Sequence, residues 1–203
     1  MSAENWLAFC LFALVSSITP GPNNTMMLAS GVNFGWIRSL RHMVGITSGF
    51  CFMVLLMGLG LGQLFLQLPW LYTVLRYLGG AYMLFLAWKI LHSGAPAAQA
   101  GGTAGVGARP MGFFAAAAFQ WVNPKAWVMA LGAVTTYLPA DHSVWQLLLL
   151  TLVMGLINLP STGSWAVFGS AMRRYLREPR FLRVFNTVAA LALVASLIPL
   201  FKA

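Results

Sequence analysis

Acidic side chains are nearly missing: Glu4, Asp141 and Glu178 are the three in 203 residues, against twelve Lys and Arg. This scarcity argues against chemistry that needs clustered carboxylates, such as metal-dependent hydrolysis or paired acid–base catalysis. Charge of either sign is also rare, at 7% of the chain where a soluble domain carries about 25%. A chain so poor in charge cannot cover itself with a water-compatible surface. Cysteine is limited to Cys10 and Cys51, both in apolar stretches, with no CxxC and no His or Cys companion at ligand spacing. That argues against a thiol–disulfide carrier and leaves both as small apolar side chains.

What is present is apolar length. Hydrophobic residues make up 60% of the chain and the mean hydropathy is +0.79, so lipid is the expected solvent over most of the surface. A helix needs roughly 20 apolar residues to cross a bilayer. Apolar runs punctuated by charge, Gly and Pro give candidate spans at 5–30, 42–66, 70–92, 110–138, 143–171 and 181–201. The expected fold is an all-α integral membrane protein of six transmembrane helices. The first run is preceded by Glu4 rather than by positive charge and has no small-residue cleavage site after it, so a retained first span is expected rather than a signal peptide. No lipidation or retrieval motif is apparent at either end. The stretch 93–109, SGAPAAQAGGTAGVGAR, has no periodic apolar face and reads as a linker between two three-span units, 1–92 and 110–203.

The basic residues are placed as a topology signal. Nine of the twelve, namely Arg38, Arg41, Lys89, Arg109, Arg173, Arg174, Arg177, Arg180 and Arg183, fall at the loops after spans 1, 3 and 5. Cytoplasmic loops are the ones enriched in Lys and Arg. The loops including 93–109 are therefore expected on the cytoplasmic side of the membrane and both termini outside. The net charge of +9 then reflects an anionic leaflet rather than a nucleic-acid partner.

Two spans carry sequences that stability alone does not call for. In span 1 the apolar run is interrupted by Thr19, Pro20, Gly21, Pro22, Asn23 and Asn24; in span 4, by Gln120, Trp121, Val122, Asn123, Pro124 and Lys125. Proline removes a backbone donor and obstructs the preceding turn, so both helices should kink or break. A cation at such depth is costly unless it faces a partner or a watery cavity. Both interruptions fall roughly mid-membrane, in spans that run in opposite directions. That outline is an inverted repeat, which in secondary transporters places the substrate at the breaks. Prolines that merely bend helices are the plainer reading, weakened here by two matching Pro–Asn clusters.

In span 5, Asn158 and Thr162 lie one turn apart and serve equally well as cavity lining or as interhelical hydrogen bonds, each worth about 0.6 kcal/mol. Gly45 and Gly49 form a GxxxG spacing that marks close helix packing, within one chain or between two. His42 titrates near neutral pH in its unperturbed state, but beside Arg41 it also reads as an interfacial residue.

Taken together, TPGPNN at 19–24, Gly79-Gly80-Ala81-Tyr82 leading to Leu86-Ala87-Trp88-Lys89, and Asn123-Pro124-Lys125 resemble the lysine exporter / homoserine-threonine resistance family of bacterial amino-acid exporters, over essentially the full chain. The resemblance implies six spans, outward movement of amino acids or close derivatives, and coupling to the proton gradient. The PGPNN form and FQWVNPK look closest to the branch exporting cysteine and O-acetylserine. A site for Lys or Arg should offer a buried carboxylate, and no Asp or Glu falls inside any span. The expected substrate is thus a small neutral amino acid whose carboxylate meets Lys125 or helix-end amides, with no cofactor. An exporter of basic amino acids, a passive channel and a structural membrane subunit are the alternatives; proton coupling lacks an evident carrier, and a homo-oligomer remains open.

Overall fold

The computed structural model describes residues 2–61, 67–92, 109–173, 175 and 178–198. Eight α-helices occur among them: α1 (Ala3–Ile18), α2 (Pro22–Phe34), α3 (Leu40–Leu56), α4 (Pro69–Leu91), α5 (Phe113–Phe119), α6 (Pro124–Tyr137), α7 (Val144–Met172) and α8 (Pro179–Ala195). A π-helical turn, Met57–Leu61, extends α3, and a 3-10 turn, Gln120–Val122, extends α5. No strand occurs among the described residues. The expected linker 93–109 lies outside them except for Arg109.

Each expected span meets helix, and the two expected interruptions are real breaks. Helices α1 and α2 meet at a bend of 53°. Pro22 and Pro124 each open a new helix at its first turn, where the missing N–H costs nothing. Among the described residues, two helices are long and apolar enough to cross a bilayer unaided, Leu40–Leu61 and Val144–Met172, and the bent pair α1–α2 forms a third such unit. Pro160 lies inside α7 without ending it. Nearby hydroxyls occupy carbonyls of the same turns, with Ser161 Oγ donating to Ile157 O at 2.7 Å and Thr162 Oγ1 to Asn158 O at 2.9 Å.

The long helices α3 and α7 pack against each other. Helix α7 also lies along α1 and α2, α3 lies along α5 and α6, and α4 pairs with α8. Small residues make the closest crossings. A side chain at Gly45 or Gly49 would run into the backbone of Phe113 or Ala117, and Gly31 and Gly169 admit α7 and α2 to each other in the same way. The GxxxG contact is therefore made within the chain, α3 on α5.

The two broken units lie antiparallel. Phe9 of α1 meets Tyr137, the last residue of α6, at 5.3 Å between ring centroids. Asn33 and Phe34 at the far end of α2 share a cavity wall with Met111 and Gly112, just before α5. Between these ends the breaks touch. Arg38, Arg41 and Arg109 line one depression, and Arg173 reaches Gly35 beside it, so these four basic residues gather at one end of the molecule.

Candidate functional site

The site begins with an accounting problem at the end of α1. A helix ending inside an apolar protein must find donors for its last carbonyls. Thr19 Oγ1 donates to Ser16 O at 3.1 Å, Asn24 Nδ2 to Ser17 O at 2.7 Å, and Trp165 Nε1 to Ile18 O at 3.1 Å. Asn24 Nδ2 also reaches Thr19 O at 2.8 Å, and Gly21 O accepts from the Thr25 amide at 2.9 Å. The remaining donor comes from the other half of the chain. Lys125 Nζ stands 2.7 Å from Thr19 O, 2.9 Å from Thr19 Oγ1 and 3.4 Å from Pro20 O. Gly21 makes that approach possible, since a β-carbon there would lie 2.7 Å from Lys125 Cδ.

The second break is held to the first by a reciprocal amide pair. Asn23 Nδ2 donates to Gln120 Oε1 at 2.8 Å, and Gln120 Nε2 returns a bond to Asn23 Oδ1 at 3.1 Å. Gln120 is fully buried and also donates to Ala116 O at 2.9 Å. Asn123 caps α6 by accepting from the Lys125 amide at 3.1 Å. Helix α2 has no such side-chain cap, so its first-turn amides open toward the break. From α7, Asn158 ties in two further helices: its Oδ1 accepts from Thr47 Oγ1 at 3.0 Å and its Nδ2 donates to Ser17 Oγ at 3.2 Å.

These side chains line one small, partly open cavity, formed by Ser16, Ser17, Gly21, Asn23, Asn24, Phe50, Asn123, Lys125, Ala126, Met129, Asn158 and Thr162. Of the sequence-derived residues, Gly21, Asn23, Asn24, Asn123, Lys125, Asn158 and Thr162 line it. Thr19 and Pro20 hold Lys125, Gln120 holds Asn23, and Pro22 and Pro124 start the helices on either side. Asn158 combines both roles open to it, lining and interhelical bonding, whereas Thr162 lines the cavity but bonds within its own helix. Asn24 Oδ1 is buried with no hydrogen-bond partner, an acceptor left for something else. The volume is about 20 Å³, room for about one water and too little for an amino acid in this conformation.

Sequence reasoning missed Ser17, Thr47, Phe50 and Met129. Ser16 and Ser17 immediately precede the break and were the available signal. Cys10 and Cys51 are unpaired and partly buried, as their apolar settings suggest. His42 departs from an interfacial residue: it is 2% exposed.

The LysE type translocator family model matches residues 14–196. The cysteine/O-acetylserine efflux protein of Escherichia coli (strain K12) is 31% identical over 196 residues, 96% of each chain. Its namesake from Salmonella typhi is 31% identical over 195 residues, again 96% of each chain. No solved structure matches the chain.

Proposed function

Because the chain belongs to the LysE type translocator family, we propose that it exports small neutral amino acids of the cysteine and O-acetylserine kind across a bacterial inner membrane. The observation that carries the substrate class is the composition of the cavity where the two breaks meet. It offers one ammonium, several amides and hydroxyls, and no carboxylate. A zwitterion complements this set. Its ammonium would take the Thr19 and Pro20 carbonyls and Asn24 Oδ1, while its carboxylate takes Lys125 and the uncapped amides of α2. A cationic side chain would find no counter-charge.

The architecture proposed for this activity is six spans in two inverted units, 1–92 and 110–203, with the basic end in the cytoplasm and both termini outside. The antiparallel broken helices and the small cavity between them support it, since a carrier alternates by rocking one unit against the other around a central site. Proton antiport is the proposed driving reaction.

Counterflow in proteoliposomes tests the reading. Vesicles preloaded with unlabelled O-acetylserine should accumulate labelled O-acetylserine transiently and saturably, with cysteine competing and lysine or arginine not. Preferential export of lysine would overturn the charge argument, and flux without trans-stimulation would indicate a channel.

A further inference from the structure

A second, larger cavity of about 620 Å³ opens between α2, α3, α4 and the start of α5, at the basic end of the molecule. Its polar lining includes Ser30 and Asn33 from α2, His42 from α3, Tyr82 and Lys89 from α4, and Arg109. No Asp or Glu lines it among the described residues. His42 is the feature that packing does not explain. It is 2% exposed, yet neither ring nitrogen has a hydrogen-bond partner. An imidazole always carries at least one N–H donor, and burying it unsatisfied destabilises a protein. A residue placed to hold helices together would have a partner on a neighbouring helix, as Asn158 does. Helix α2 contributes to the walls of both cavities: Asn23 lines one, Asn33 the other, about 15 Å apart along the helix at 1.5 Å per residue.

We propose that this cavity is a second solute site, which receives the carboxylate of the exported amino acid at the basic end before the solute moves along α2 to the break. The ring N–H of His42 donates to the carboxylate, and Lys89 and Arg109 supply the positive field that draws a zwitterion in by its acidic end. The ligand class, a small amino acid with a free carboxylate, rests on the export reading above.

Full-length purified protein, with O-acetylserine as probe, separates the two claims. His42→Leu removes an unsatisfied imidazole, so its melting temperature should rise. Its half-saturating O-acetylserine concentration, in thermal shift and in counterflow, should nevertheless increase about tenfold. A structural histidine gives the opposite signature, lower melting with unchanged half-saturation, and that outcome overturns the proposal. His42→Gln, which keeps a donor, should restore part of the affinity and serves if the leucine variant does not fold; a glutamine variant no better than leucine counts against the donor role. Lys125→Met protein should transport roughly tenfold to a hundredfold less yet still be stabilised by O-acetylserine, and adding His42→Leu should abolish that stabilisation. If stability follows added phosphatidylglycerol while His42→Leu leaves O-acetylserine binding intact, the cavity holds a lipid phosphate and the proposal fails. Wild-type protein that responds to neither O-acetylserine nor cysteine overturns the substrate assignment and this site together; normal wild-type binding unaltered in His42→Leu overturns this site alone.

Discussion

At the scale of single residues, Lys125 decides between two accounts of the site. A lysine that only anchors α6 would extend its stem toward the interface, but its Nζ is engaged by the carbonyls of Thr19 and Pro20. Lys125→Met keeps the length of the stem and removes the charge, so the protein should insert and fold. Export should fall roughly tenfold to a hundredfold, matching about 1.5 to 3 kcal/mol for a hydrogen bond to a charged group. Wild-type export by well-inserted Lys125→Met protein would remove the residue from the site. The break residues were legible in the sequence because Pro, Asn and Lys inside an apolar run have few structural uses. Ser17 and Thr47 were not legible: a lone hydroxyl in a membrane helix usually bonds its own preceding turn, and only the packing of α1 and α3 on α7 brings these two to Asn158.

At the scale of elements, α2 inverts the rule for soluble proteins. It is among the most enclosed helices and carries Asn23, Asn24, Thr25, Ser30 and Asn33, whereas α1, with Leu7, Leu11, Val15 and Ile18 turned outward, is far more apolar. Lipid makes the outside the hydrophobic side, and a helix surrounded by other helices is free to carry amides and small residues. The element positions were legible from apolar runs, and so were both breaks. Which helices touch was not, because GxxxG spacing names a close contact without naming its partner. The α3–α5 crossing gives a test of the packing. Gly49→Ala places its β-carbon against the backbone of Ala117, whereas at Gly112 a β-carbon meets nothing within 4 Å. Thermal unfolding in detergent should show Gly49→Ala destabilised by about 1 to 3 kcal/mol and Gly112→Ala nearly unchanged; equal effects would contradict the crossing.

At the scale of the whole molecule, aromatic residues stand outward near the helix ends, Trp36, Trp88 and Tyr175 toward the basic end and Trp70 and Trp145 toward the other, as interfacial belts do. The orientation of this frame is open to labelling. In a background without Cys10 and Cys51, Asp141→Cys should react with an impermeant maleimide on intact cells, and Ile37→Cys only after permeabilisation; the reverse pattern would invert the topology. The contact of Lys125 with the first break also bears on what happens after the solute has left. In the empty protein this lysine occupies the carbonyls assigned above to the ammonium of the passenger. The empty protein thus supplies its own surrogate for the departing ammonium, and the carbonyls at the end of α1 are not left bare. On the proposed antiport reading, a centre whose carbonyls are satisfied in this way returns without solute, with the proton as its counter-traveller.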